Sequence, residues 1–230
     1  MDYSYIDKNV SAVREMIAKT VEDASREGDV TMVAAVKYAD IGEINYLCGE
    51  AGVRDIGENR VQQLLEHYEG LEDKSVRIHF IGTLQTNKVK YIVDKVCMIH
   101  SVDSIKLARE IDKQAKKCGR VMDVLIEINC AEEQNKSGVS FADAEALCLE
   151  VVQLENVRLC GFMTMAPKCD KKEEYIKYFL ETYNKSLDIW TKKLHNINRP
   201  IISMGMSDSF VQAIECGANI VRIGRSLFVK

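Results

Sequence analysis

The chain has 230 residues, 47% hydrophobic and 29% charged, with 13 Gly and only 2 Pro, which excludes a disordered or collagen-like polymer. A formal net charge of −4 excludes a chain-wide basic excess for nucleic acid, leaving room only for a local basic patch. No apolar run reaches the roughly 18–20 residues that span a bilayer.

The opening Met1-Asp-Tyr-Ser-Tyr-Ile-Asp lacks the basic and apolar regions of a signal peptide, so the expected address is the cytosol. Ile6, Val10, Val13, Ile17, Val21 and Ala24 recur at three- and four-residue steps and predict a helix that Gly28 can close. Val30 to Val36 is almost wholly apolar, the pattern of a strand buried on both faces. A helix over about 41–50 leads to a strand at Val53-Arg-Asp-Ile56, and Val61, Leu64, Leu65 and Tyr68 mark another helix. Val76 to Ile81 predicts a strand, roughly 84–95 a helix, and Cys97 to Val102 a strand. Ser104 starts a helix with Leu107, Ala108, Ile111 and Ala115 on one face and Gly119 beyond its end. Val121 to Asn129 predicts a strand. Ser140 with Asp143 resembles a capping box for the helix carrying Ala144, Leu147, Cys148, Val151 and Val152. Val157 to Gly161 is a strand, a long helix falls within 171–196, and Pro200 to Met204 is a strand. Ser207 caps a helix ending near Gly217, and Ile220 to Ile223 is the last strand.

Repeated βα units require a parallel sheet with right-handed crossovers. Eight of them close most naturally into an α/β fold of the (β/α)8 TIM-barrel type, although a doubly wound open sheet satisfies the same alternation. No linker is visible, and residues 1–230 are expected to form a single domain. The cluster Lys168, Asp170, Lys171, Lys172, Glu173 and Glu174 predicts a solvated loop and helix start. Cys48, Cys97, Cys118, Cys130, Cys148, Cys160, Cys169 and Cys216 are scattered without a CxxC pair, as expected of reduced, mostly buried thiols. His67, His79, His100 and His195 are too dispersed for a local metal motif, so no metal is expected, and His79 is expected in or near the core.

Barrels of this kind carry their chemistry at the C-terminal ends of the strands. Lys37 follows an apolar run; it either snorkels out at a strand end or is an amine in a partly apolar pocket, with the lowered pKa that Schiff-base formation needs. Ser203-Met-Gly-Met-Ser207-Asp208 and Arg222-Ile-Gly224-Arg225-Ser226 each join a strand to a helix through glycine. Both are either ordinary helix starts or a phosphate cradle of backbone N–H groups. A phosphate at one side and an aldehyde for a lysine across the barrel mouth describe pyridoxal 5′-phosphate (PLP).

Several stretches carry a resemblance over essentially the whole chain. They are Val33-Ala-Ala-Val-Lys37, Ile56-Gly-Glu-Asn-Arg-Val-Gln62, His79-Phe-Ile-Gly-Thr-Leu-Gln-Thr-Asn-Lys88 and Ser101-Val-Asp103. Glu127-Ile-Asn-Cys-Ala-Glu-Glu-Gln-Asn-Lys-Ser-Gly138, Gly161-Phe-Met-Thr-Met165, Ser203-Met-Gly-Met-Ser-Asp208 and Val221-Arg-Ile-Gly224 follow in order. With these the sequence resembles the pyridoxal phosphate homeostasis proteins, barrels similar to the N-terminal domain of bacterial alanine racemases. The resemblance implies PLP held as an internal aldimine on Lys37. It places the phosphate on Ser207 and the backbone of Gly224 and Arg225, Asn59 and Met204 along the cofactor, and Arg222 at the pyridine nitrogen. Lys136 is either a solvated loop lysine or a secondary PLP site.

A guanidinium at the pyridine nitrogen opposes its protonation and weakens the ring as an electron sink. Alanine racemases add a tyrosine from a second domain, which is expected to be missing from a chain ending at Lys230. The implied role is therefore PLP buffering or delivery, with apo PLP-dependent enzymes as recipients and a monomer as the expected state. A slow amino-acid racemase with Lys37 as sole base is the alternative, and a phosphate-ester isomerase using Glu58 beside a histidine is a third reading. The sequence departs from the family in two places. Tyr38 follows Lys37 where a second lysine is usual, and Arg225 replaces a hydroxyl residue, with a guanidinium that could add its own phosphate contact.

Overall fold

The computed structural model describes residues 2–133, 137–192 and 199–230. Its strands are β1 (Thr31–Ala35), β2 (Asp55–Glu58), β3 (Arg77–Phe80), β4 (Met98–Val102), β5 (Met122–Ile128), β6 (Val157–Thr164), β7 (Ile201–Ser203) and β8 (Ile220–Ile223). They pair in sequence order, all parallel, into a closed barrel. Closure is made by β1 against β8, with Thr31 opposite Ile220 and Ala34 opposite Ile223, and this excludes the open sheet. The helices are α1 (Ser4–Asp23), α2 (Ile41–Gly49), α3 (Val61–Gly70), α4 (Ile105–Lys117), α5 (Phe141–Val151), α6 (Lys172–Trp190), α7 (Phe210–Glu215) and α8 (Arg225–Phe228).

Helix faces follow the apolar spacing. Ile6, Val10, Val13 and Ile17 of α1 are buried, as are Leu107, Ala108, Ile111 and Ala115 of α4. Ser104 caps α4, accepting the Leu107 N–H. Asp40 and Glu43 form a reciprocal capping box at α2. At α5 only half of the expected box forms: Ser140 accepts the Asp143 N–H, while its hydroxyl donates to the Asp143 carboxylate.

Four expectations shift. Helix α1 ends at Asp23, before Gly28, which takes φ +89 in the turn toward β1. Residues 84–95 hold a 3-10 helix, Thr86–Tyr91, instead of an α-helix, because the buried Val89 and Ile92 lie three residues apart. β6 continues past Gly161 to Thr164. Val124 pairs with Leu159 and Leu125 with Gly161, so Cys160 is the extra residue of a bulge, and Gly161 turns it at φ +150. Helix α7 starts at Phe210, with Ser209 and not Ser207 as the residue before it.

The main apolar core lies between barrel and helices. Inside the barrel the apolar cluster is small: Met98, Leu125, Cys160 and Met163, with Cys97 and Ile201 against it. Much of the remaining lumen is polar. Asp55, His79, His100, Ser203 and Arg222 are all buried and joined by hydrogen bonds. Glu127, two residues from Leu125 and hence on the same face of β5, is buried with them.

Candidate functional site

The C-terminal ends of the strands enclose a cavity of about 400 Å³, within the range of small-molecule sites. Lys37, Asn59, Ser207, Arg222, Gly224 and Arg225 all line it. Lys37 is not across the mouth from the glycine loops, because β1 and β8 are neighbours; a Cβ on Gly224 would lie 3.2 Å from the Ala35 carbonyl oxygen. The lysine leaves the barrel just after β1, its side chain exposed and not sunk in an apolar pocket, with Nζ 4.9 Å from the centre of the Tyr38 ring. Gln63 donates to the Lys37 carbonyl at 2.8 Å and ties this turn to α3.

Ser207 does not cap α7. Its Oγ accepts the N–H groups of Gly224 at 3.3 Å and Ser226 at 3.4 Å, stitching the β7–α7 loop to the start of α8. It does not take the N–H of Arg225 between them, and its own hydroxyl proton remains available as a donor. The Arg225 guanidinium pairs with Asp208, both largely exposed. Gly205, at φ +89, lets this loop press on α7, where a Cβ would lie 2.4 Å from that of Ala213.

Arg222 forms the inner wall. It is 3% exposed, with Nη1 donating to Ser203 Oγ at 2.8 Å and Nη2 to the Thr164 carbonyl at 2.9 Å. Burial lowers its pKa to about 10, which leaves it cationic at neutral pH. Asn59 carries a buried Oδ1 with no hydrogen-bond partner. A buried acceptor of this kind is costly unless a ligand or water satisfies it.

Met204 is fully buried in the core between barrel and helices and is absent from the cavity lining; Met206 lines the cavity instead. Three exposed apolar side chains to which the sequence gives no role at the cofactor, Tyr38, Met165 and Met206, border the same opening. Strand periodicity cannot locate them, since they sit in loops. Asn129 is turned away from the cavity, with Nδ2 bonded to the Glu133 carbonyl at 2.8 Å. Lys136 and His195 lie outside the described residues.

Glu58 does meet a histidine, with Oε1 2.6 Å from His67 Nδ1, and desolvation raises its pKa. Both groups sit in the layer between barrel and α3, and Glu58 is absent from the lining of the cavity. The geometry therefore gives no support to an isomerase with Glu58 as base. His79 is buried in the lumen, away from the cavity lining.

The family model for the alanine racemase N-terminal domain matches residues 2–230. The pyridoxal phosphate homeostasis protein of Aquifex aeolicus is 40% identical over 221 residues, 96% of either chain. PipY of Synechococcus elongatus, solved with PLP bound, superposes with a TM-score of 0.84 at 27% identity, covering 97% of this chain and all of PipY. An alanine racemase of Clostridium difficile superposes with a TM-score of 0.75 at 19% identity, a likeness of fold that spans 97% of this chain and 57% of the racemase.

Proposed function

The chain belongs to the pyridoxal phosphate homeostasis proteins, within the alanine racemase N-terminal domain family, and from that premise we propose that it binds PLP at the barrel mouth and buffers or delivers it without efficient catalysis. The observation that carries this reading is the single cavity in which a strand-end amine, Lys37, meets the Ser207–Gly224–Arg225 loops beside a buried cation, Arg222.

When bound, the cofactor supplies an aldehyde that condenses with a primary amine. The residues present fit the group. Lys37 offers that amine. The Ser207 hydroxyl, already anchored through its oxygen, and the N–H groups opening α8 offer donors to a phosphate. The orphaned Asn59 Oδ1 offers an acceptor. Arg222, donor-only and cationic, faces the cavity where a ring nitrogen would have to accept a hydrogen bond rather than carry a proton. That arrangement holds the cofactor but does not favour carbanion chemistry. It supports a carrier over the slow racemase with Lys37 as sole base.

The cytosol is the proposed address, and no described helix is long and apolar enough to cross a membrane. Apo PLP-dependent enzymes are the proposed recipients, and a monomeric, single-domain barrel over 1–230 the proposed working unit.

The test is an absorption spectrum of protein incubated with PLP, followed by borohydride reduction and peptide mapping. A yellow protein with the pyridoxyl group on Lys37, and a Lys37→Ala variant that loses the band, are expected. A protein that never colours overturns the reading. Release of α-deuterium from amino acids at enzymatic rates would restore the racemase.

A further inference from the structure

A continuous column of buried polar side chains runs through the barrel lumen, from the cavity to the opposite face. Arg222 Nη1 lies 2.8 Å from Ser203 Oγ, which lies 3.0 Å from His100 Nδ1. His100 Nε2 lies 2.9 Å from His79 Nδ1, and His79 Nε2 lies 2.9 Å from Asp55 Oδ1. Asp55 is also gripped by Arg77 through Nε at 2.7 Å, and these two residues line a separate cavity of about 630 Å³ at the other end of the barrel.

The chemistry of the two ends fixes the outer links of the column. Arginine only donates, so Ser203 Oγ accepts from Arg222. An ionised carboxylate only accepts, and Arg77 and His79 hold the Asp55 carboxyl ionised, at about 2, against the desolvation that opposes it. His79 therefore carries its proton on Nε2. His100 is wholly enclosed, and burial, with the nearby His79 and Arg222, favours its neutral form. Its single proton lies either toward His79 Nδ1 or toward Ser203 Oγ, which has a lone pair left after Arg222 and a hydroxyl proton of its own to meet the ring in either sense. Among the described residues, Glu127 of β5 also lies near this column, within electrostatic reach of both Arg222 and Asp103.

We propose that Ser203, His100, His79 and Asp55 are positioning residues that aim the Arg222 guanidinium into the cofactor cavity, with the Nε2 proton of His79 held by the Asp55 carboxylate. The proposal rests on the reading that the cavity takes PLP. The second anchor of Arg222, the Thr164 carbonyl, takes only Nη2. The Ser203 end therefore decides how the remaining N–H groups face a ring.

Two measurements test it. In the unliganded protein, 15N NMR of the imidazoles, with His100→Gln for assignment, should show His79 protonated on Nε2 and His100 neutral. A bare His79 Nε2, or a cationic His100, overturns the column. In protein loaded with PLP, Ser203→Ala should shift the absorption band of the bound cofactor and speed its loss on dialysis about tenfold, because a buried donor of Arg222 loses its acceptor. Ser203→Thr, which keeps the hydroxyl, should restore both, and thermal melts check that each variant folds. An unshifted band in folded Ser203→Ala, with normal retention, overturns the positioning role alone. Failure of the unaltered protein to bind PLP overturns the function instead, leaving the column to the NMR result.

Discussion

At the scale of single residues, Arg225 shows how a charge near a site differs from a charge in it. The sequence left open a phosphate contact from its guanidinium beside that of its backbone N–H. In the structure it pairs with Asp208, and the two side chains are 68% and 57% exposed. An exposed ion pair contributes little and is screened by salt, while the backbone N–H of Arg225 survives any substitution except proline. Arg225→Ala is therefore expected to change PLP retention on dialysis at moderate salt by less than about threefold. A tenfold loss would show that the guanidinium leaves Asp208 for the ligand. Arg222 is the opposite case, buried, doubly hydrogen-bonded and part of the cavity wall.

At the scale of elements, β6 depends on one glycine. A Cβ on Gly161 would stand 2.0 Å from the Ile201 carbonyl oxygen and 2.6 Å from the Ile201 nitrogen, in a conformation at φ +150 that other residues rarely adopt. Backbone cannot yield as a flexible side chain can, so the β6–β7 pairing itself must break. Gly161→Ala is expected to destabilise the fold by more than about 3 kcal/mol in urea unfolding. Gly49, at the end of α2 with nothing within 4 Å of its added Cβ, is the control. There alanine should be neutral or stabilising by up to about 1 kcal/mol. Similar losses at both positions would refute the close-approach argument. The expected break after Gly161 misled for the same reason: glycine in a strand can end it or bulge it, and only the neighbouring strand shows which.

At the scale of the whole molecule, a polar lumen makes stability depend on pH. Burial and the nearby Asp103 raise the Glu127 carboxyl from 4.5 to about 7, with Arg222 opposing them. The folded chain then binds more protons than the unfolded chain between about 4.5 and 7. Stability from this group is complete below about 4.5, falls as pH rises through that window and levels off above it. At about 1.4 kcal/mol per pH unit, the loss is on the order of 3 to 4 kcal/mol. Glu127→Gln removes the titration. The variant should be more stable than the parent at pH 8 and lose less stability between pH 5 and 8. An unchanged slope would mean that Glu127 ionises freely in the folded protein. Asp55 acts in the other sense: held at about 2, it stabilises above the usual carboxylate range and loses that contribution only in acid.

The sequence alone determined the alternation of strands and helices, because period and capping are local properties carried by residues such as Ile6, Val10, Ser104 and Leu107. It also marked Lys37 and the Ser207 and Gly224 loops, since a strand end followed by lysine, or by glycine and a helix, is visible in one dimension. Closure of the barrel required the pairing of Thr31 with Ile220, residues at opposite ends of the chain, and that is a long-range fact. The same closure put Lys37 beside the phosphate loops and not across from them. It also turned Asp55, His79, His100 and Ser203, polar residues on four separate strands, into one hydrogen-bonded column. A polar residue within such a strand announces only that it needs a partner; which partner it finds depends on how the strands stagger around the barrel, and that is decided only when the sheet closes on itself.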